Sequence, residues 1–342
     1  MVVLGGTLEE ISGLGLGCMC VSGQYTNGVP LSEEAAFALF KGVYDAGCRH
    51  FDTAEVYKSG PFNAPPTEDT VFNESQLGKF FAAVPRSSFT VATKYMPYIH
   101  GLKADYETVR ASLLVSLERL GLEYVDLYYT HRVVSLEYAI EFVRSCQRLK
   151  EEGLIKNIGL SEISAPWLRE AHKVHPICCI QQEWSLLTRD MEVDLVPTCA
   201  ELGIGIVAYS PLARNILTVP KERPQDLRRA GIPRYNEENW EKNKAMLQKL
   251  EDLASKKGVS PAQLSLAWLI QKAVQLKAPC MPIPGSSNLH HCLENIAAAK
   301  VTLSLEDMKL LEDIAKESVG ARESDAYMGA AMEGQLSQAS RL

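Results

Sequence analysis

Short apolar segments alternate with amphipathic segments along most of this chain of 342 residues, and this alternation restricts its fold more than any other feature. Runs rich in β-branched and aromatic residues are typical of buried strands, and apolar residues at helical spacing are typical of helices packed on a sheet. We count eight strand–helix pairs in this sequence. Regular alternation of this kind predicts a parallel sheet with helices covering it.

The element boundaries follow from this periodicity and from residues that begin or end helices. The predicted strands are the one that reaches Cys20 after a hairpin starting near Gly5, and 49–52, 88–93, 124–130, 154–160, 177–181, 204–208 and 279–283. The predicted helices are 32–46, 73–81, 105–120, 136–150, 166–174, 193–202, 237–257, 261–271 and 289–298.

Eight such units predict a (β/α)8 TIM barrel, with an N-terminal β-hairpin and extra helices outside the barrel. An open dinucleotide-binding sheet normally carries a glycine-rich turn after its first strand, whereas the glycines at 13, 15 and 17 are expected before it. We predict one domain over 1–342, with a C-terminal tail at 320–342. The long segments 58–72 and 210–236 follow strands and are candidate lids.

Composition excludes several classes of partner. The formal net charge of −7 disfavours a nucleic-acid surface, and no apolar stretch is long enough to span a membrane. The nine cysteines are an odd number without metal-ligand spacing, so we expect reduced thiols and no metal site. With no secretory signal in the sequence, these features favour a cytoplasmic protein.

Three neighbouring strands end close to residues that can handle protons or charge. Asp52 ends one strand, with Tyr57 five residues on, while Lys94 and His131 follow the next two. Because neighbouring parallel strands end on the same side, these four side chains are expected to converge at one rim.

These residue types suit the reduction of a carbonyl group. A tyrosine can supply the proton, and a nearby ammonium group is expected to lower its pKa from about 10. The carboxylate of Asp52 would keep Lys94 charged, and His131 would orient the carbonyl oxygen. Each residue taken alone has an ordinary structural explanation, whereas the set of four indicates chemistry.

The sequence around these positions resembles the aldo-keto reductases, in a branch resembling pyridoxal reductases and microbial members. The matching motifs are Phe51-Asp52-Thr53-Ala54 with Tyr57, Ala92-Thr93-Lys94, and Asp126-Leu127-Tyr128 with His131. The resemblance implies that Asp52, Tyr57, Lys94 and His131 are catalytic, with Tyr57 as the acid. It also implies a cofactor lying extended across the barrel mouth.

The same resemblance implies a set of cofactor contacts. Ser161 and Gln181 would hold the nicotinamide carboxamide, and Tyr209 would stack on its ring. Backbone amides near Ser210, Leu212 and Arg214 would bind the pyrophosphate. The remaining implied contacts, at the last barrel helix, are Gly285, Ser286, Ser287, Asn288, Glu294 and Asn295.

Two departures from the family pattern bear on the cofactor. Glu162 stands where an asparagine usually follows Ser161. No lysine or arginine stands at Asn288 or His291, where a cation usually binds the 2′-phosphate of NADPH. The resemblance still implies NADPH, and NADH remains possible.

The function implied is NADPH-dependent reduction of aldehydes or ketones by a monomer or weak homo-oligomer, with a small-molecule carbonyl as the partner. Two alternatives stay open: a cofactor-binding regulatory subunit like the β subunits of potassium channels, and an NAD-dependent sugar dehydrogenase. The candidate pocket residues are Tyr25, Tyr95, Tyr98 and Trp184.

Overall fold

The computed structural model describes residues 13–23, 28–61, 64–224, 229 and 231–323. The first part of the predicted hairpin, Tyr25 and residues 324–342 of the predicted tail lie outside the described residues. The secondary structure below refers to the described part of the chain.

Eight parallel strands form one sheet in chain order, each paired with the next. They are β1 Leu16–Gly17, β2 His50–Asp52, β3 Thr90–Tyr95, β4 Val125–Thr130, β5 Ile155–Ser161, β6 Cys179–Glu183, β7 Gly205–Tyr209 and β8 Cys280–Pro282. A hydrogen bond from the N–H of Gly15, the residue before β1, to Pro282 O of β8, 3.0 Å long, brings the first and last strands together. The predicted (β/α)8 architecture is confirmed.

Helices cover the outside of the sheet. The α-helices are α1 Glu33–Asp45, α2 Asn73–Phe81, α3 Tyr106–Leu120, α4 Leu136–Glu151, α5 Ala165–Val174, α6 Leu195–Leu202, α7 Glu237–Lys257, α8 Pro261–Gln275, α9 Leu289–Ala297 and α10 Leu305–Ala315. Short 3₁₀ helices occupy Cys18–Ser22, Arg86–Ser88, Pro97–His100, Asp190–Glu192, Ala213–Thr218, Pro233–Tyr235 and Ala298–Lys300.

Side-chain caps explain why several helices begin where the sequence predicts. Ser32, Asp105 and Ser135 each accept a hydrogen bond from the backbone N–H three residues further on. Such caps satisfy backbone donors that have no partner within the helix. The helix expected from residue 193 has no side-chain cap and begins at Leu195, two residues later than predicted.

The expected position of the first strand is wrong. The glycine-rich run does not precede β1 but contains it, and Cys18–Ser22 is a 3₁₀ helix. Small residues are required there because β1 lies against the backbone that follows β8. A Cβ atom at Gly17 would come within 2.7 Å of the carbonyl oxygen of Ile283.

The apolar core has two main parts, one between the sheet and the helices and one inside the barrel. The inner part consists of Ala92, Leu127, Tyr129, Cys178, Cys179, Val207, Met281 and Ile283. All nine cysteines are free thiols, and eight of them are buried. Within the described ranges, no helix is both long and apolar enough to cross a membrane.

Candidate active site

The carboxyl ends of β2, β3 and β4 bring the four predicted catalytic residues together. Asp52 ends β2, and hydrogen bonds continue the strand pairing past it, from Thr53 N to Ala92 O at 2.9 Å. His131 follows β4 and is fixed in the same way, its N–H donating to Tyr95 O at 2.7 Å. The loop after β2 then places Tyr57 beside Lys94.

Lys94 is the centre of this group and is completely buried. Its ammonium group forms an ion pair with Asp52 and donates to Thr53 O at 2.7 Å. The third contact is with the Tyr57 hydroxyl, at 3.4 Å. The amine therefore has an acceptor for each of its three protons, which offsets the cost of burying the charge.

The charge of Lys94 is stable in this environment. Burial favours the neutral amine, but the charge of Asp52 and the hydrogen bonds of Lys94 with Asp52 and Tyr57 outweigh it and raise the pKa of Lys94 above its ordinary value. The lysine thus stays protonated at neutral pH, as the sequence indicated.

The pKa of Tyr57 departs from the expectation. Burial raises it, and the opposing effect of the Lys94 ammonium is smaller, so the net pKa is above the ordinary value. The expected net lowering is wrong for this structure, because the depth of burial is not readable from the sequence. The phenol keeps its proton at neutral pH.

His131 and Tyr57 lie next to each other at the mouth of the barrel. Their rings meet edge to face with centroids 5.6 Å apart, and both line a cavity of about 430 Å³. A volume of this size suits a small organic ligand. The cavity wall includes Met19, Asp52, Val56, Met96, Tyr98, Arg132 and Pro284.

About half of the expected cofactor residues share this cavity. They are Gln181, Tyr209, Ser210, Leu212, Arg214 and Gly285. The backbone is left-handed at Ser210, Ala213, Arg214 and Asn215, which gives the loop after β7 a tight curvature along the cavity. Gln181 also donates from its side-chain amide to Asp52 Oδ2 at 2.7 Å, which links it to the catalytic group.

Ser161 lies at the end of β5 and is buried outside the cavity wall. Its Oγ has no hydrogen-bond partner among the described residues. A buried hydroxyl without a partner is costly, so this atom is well suited to a polar ligand such as a carboxamide.

The other expected contacts lie beyond the cavity wall, around α9. The side chain of Asn288 caps this helix by accepting from His290 N at 2.8 Å. Asn295 is buried, and the backbone oxygen of Glu294 accepts from Gln263 at 3.2 Å. The cavity lined by Asp52, Tyr57 and His131 does not include Asn288, Glu294, Asn295, Ser286 or Ser287 in its wall.

The expected pocket aromatics fare differently from one another. Tyr98 does line the cavity. The predictions for Tyr95 and Trp184 are wrong, because both side chains are fully buried in the outer core. The Tyr95 hydroxyl donates to Lys103 O at 2.6 Å, and the indole N–H of Trp184 donates to Glu192 at 3.0 Å. Tyr95 follows the inward-facing Lys94 and therefore points to the opposite face of the sheet.

Sequence reasoning missed the buried charges beside Tyr209. The Tyr209 hydroxyl donates to Glu162 at 2.5 Å and accepts from Arg322 at 3.2 Å. Arg322 belongs to the segment predicted as a tail, and this part of the segment reaches the rim. The one signal in the sequence was Glu162, which stands where the family usually has asparagine, because a carboxylate buried there needs a cation beside it.

The (β/α)8 barrel, with Asp52, Tyr57, Lys94 and His131 together at its rim, is the architecture of a barrel-type oxidoreductase. Residues 13–316 match the sequence model described as "Aldo/keto reductase family", and the chain belongs to that family. It is 40% identical over 316 residues to "Probable aldo-keto reductase 1" from Glycine max, covering 90% of this chain and 86% of the relative.

Solved structures agree with this assignment. A thermostable aldo-keto reductase in complex with the inhibitor epalrestat is 30% identical, with a TM-score of 0.70 over 91% of this chain and 98% of its own. An aldo-keto reductase from Klebsiella pneumoniae in complex with NADPH shares the fold at 22% identity. Its TM-score is 0.69 over 94% of this chain and 96% of its own.

Proposed function

We propose that this protein reduces an aldehyde or ketone to an alcohol with NADPH, and that Tyr57 donates the proton. The observation that carries the proposal is the contact between the Lys94 ammonium and the Tyr57 hydroxyl, 3.4 Å apart at the wall of the cavity. NADPH would supply the hydride to the carbonyl carbon.

The protein's own residues provide the proton and stabilise the charge. As the carbonyl oxygen gains negative charge, the Tyr57 hydroxyl gives it a proton, and the Lys94 ammonium stabilises the phenolate that remains. Asp52 keeps Lys94 charged through their ion pair. His131, whose ring lies against that of Tyr57, would donate a hydrogen bond to the same oxygen.

The residues present suit a nicotinamide cofactor. The partnerless hydroxyl of Ser161 and the amide of Gln181 would hold the carboxamide, while Tyr209 offers an aromatic face for the ring. The left-handed loop after β7 exposes backbone to the cavity, where a pyrophosphate would bind. The complex of the Klebsiella pneumoniae enzyme with NADPH supports the same cofactor.

The test is the substitution Tyr57→Phe, which removes only the hydroxyl. Turnover with 4-nitrobenzaldehyde should fall by a factor of about 100 or more, the scale of a lost general acid. Loss of NADPH absorbance measures turnover, and fluorescence titration measures NADPH binding, which should persist in the variant.

A matched control is Tyr138→Phe, which removes a buried hydroxyl bonded to Thr130 at 2.8 Å outside the cavity. Its turnover should stay close to that of the wild type. If the wild type binds NADPH but reduces no member of a broad carbonyl panel, the regulatory alternative replaces the enzyme proposal.

A further inference from the structure

A short segment near the end of the described chain is held firmly at the rim of the barrel. We call residues 319–323 the strap. Asn243 of α7 is bonded to both the N–H and the carbonyl of Val319, at 2.9 and 3.1 Å. Arg234 donates to the carbonyl of Gly320 at 3.1 Å, so the strap backbone is fixed before its charged residues begin.

The strap places one cation against two buried carboxylates. Arg322 donates to Glu183 Oε2 at 3.0 Å and to Glu162 Oε2 at 3.3 Å. Glu162 and Glu183 are only 1% and 2% exposed. Arg214 of the cavity wall forms an ion pair with Glu323 and also lies 3.7 Å from Glu183 Oε2, so Glu183 faces two cations.

The pKa shifts of Arg322 and Glu162 indicate that both side chains are charged. Burial disfavours the Arg322 cation, but Tyr209, Glu162 and Glu183 outweigh it and raise its pKa. Burial also disfavours the Glu162 carboxylate, yet Arg322 and Arg132 lower the pKa of Glu162 below its ordinary value. Both partners therefore stay ionised, each compensating a charge that would otherwise be costly to bury.

The position of this group relates it to the cofactor. Glu162 follows Ser161 directly, and its carboxylate holds the hydroxyl of Tyr209. This inference rests on the function proposed above, in which Ser161 and Tyr209 both lie beside the nicotinamide ring. The ring of NADP⁺ is cationic and that of NADPH is neutral, so a carboxylate beside it favours the oxidised form.

We propose that Arg322 is a positioning residue that sets the relative affinity of the site for NADPH and NADP⁺, by neutralising Glu162 and Glu183 beside the nicotinamide. With Arg322 in place, the two carboxylates stabilise bound NADP⁺ less. NADP⁺ is therefore released more easily after each turnover. The strap thereby favours the reductive direction.

The experiment compares dissociation constants of NADPH and NADP⁺ by fluorescence or calorimetric titration at about pH 8, well above ordinary carboxyl pKa values. Arg322→Met should shift the ratio of the two constants about tenfold in favour of NADP⁺, the scale of one partly screened charge. Glu162→Gln leaves Arg322 with less counter-charge and should shift the ratio in the opposite direction.

Two further variants separate charge from structure. Arg322→Lys keeps the cation and should return the ratio close to the wild-type value. Asn243→Ala loosens the strap that places Arg322 against the two carboxylates, so it should shift the ratio towards NADP⁺ in the same direction as Arg322→Met, but by less. If Arg322→Met does not fold, Glu162→Gln and the double variant Arg322→Met/Glu162→Gln still test in which direction the ratio of the two dissociation constants shifts.

The outcomes distinguish this inference from the proposed function. An unchanged ratio in Arg322→Met and Glu162→Gln, or a shift of the same sign in both, overturns the role of Arg322 alone. A wild type that binds neither NADPH nor NADP⁺ overturns the proposed function instead.

Discussion

His50 shows how a single buried side chain links stability to pH. It lies in β2, is completely buried, and its Nδ1 is 2.9 Å from Thr90 Oγ1. Burial, together with the charge of Lys94, lowers the pKa of His50 from 6.5 to about 3. Between these two values the unfolded chain binds a proton that the folded chain does not.

The free energy of unfolding should therefore fall as the pH drops below about 6.5, with His50 contributing about 1.4 kcal/mol per pH unit. The variant His50→Asn should lose this contribution, so its stability should depend less steeply on pH. Urea unfolding at several pH values between about 7 and 5 measures the slope. His290→Asn, at an exposed position, should keep the wild-type slope; an equally steep slope in His50→Asn would contradict the argument.

Some residue roles were predictable because they depend on local sequence. Asp52, Lys94 and His131 each come at the end of a recognisable apolar run, so their convergence follows from the parallel topology. Arg322 was not predictable, since its partners Glu183 and Glu162 lie 139 and 160 residues away. Nothing in the local pattern of a terminal segment indicates such a pairing.

A buried carboxylate fixes the loop that carries Tyr57. Glu55 accepts hydrogen bonds from the N–H of Met96 after β3 and from Ser112 Oγ on α3, the second at 2.5 Å. His100 Nε2 lies 3.1 Å from the same carboxylate. The loop after β2 is thus tied to a neighbouring strand and to a helix behind it.

Glu55→Ala removes all of these contacts and should loosen the loop. We expect a loss of about 2–3 kcal/mol in the free energy of unfolding and a fall in kcat of about tenfold, since a displaced acid transfers its proton less well. The affinity for NADPH should change little, because the proposed cofactor contacts lie on other strands. Steady-state kinetics and fluorescence titration separate the two effects.

The matched variant is Glu55→Gln, whose amide retains an acceptor for Met96 and gains a donor for Ser112. Its kcat should lie much closer to that of the wild type. Full kcat in Glu55→Ala would mean that the loop holds Tyr57 in place without this anchor.

Element prediction succeeded where one helix or strand carries its own signals. The boundaries of α2 and α7 match the sequence because apolar spacing and flanking residues mark them. Strand β1 was misplaced, since only two residues form it and its glycines serve packing across the barrel. That requirement comes from β8, more than 260 residues away in the chain, and no local pattern reveals it.

The whole molecule depends on closing the barrel between β1 and β8. A Cβ atom at Gly17 would lie 2.7 Å from the carbonyl oxygen of Ile283, and one at Gly285 would lie 2.4 Å from the oxygen of Gly17. Gly17 also pairs with Asp52 in the sheet. All four residues line the cavity, so the seam and the candidate active site share the same backbone.

Gly17→Ala should therefore disturb both stability and binding. The backbone of Gly17, with φ −76° and ψ 111°, is accessible to alanine, so the cost comes only from contact with backbone that cannot swing aside. We expect a loss of about 1–3 kcal/mol in the free energy of unfolding, as for other overpacked sites, and weaker NADPH binding. Thermal unfolding and fluorescence titration measure these effects. Gly231→Ala adds the same methyl group where no atom of the described residues lies within 4 Å, and it should leave both properties intact. Equal behaviour of the two variants would show that the seam relaxes without reaching the cavity.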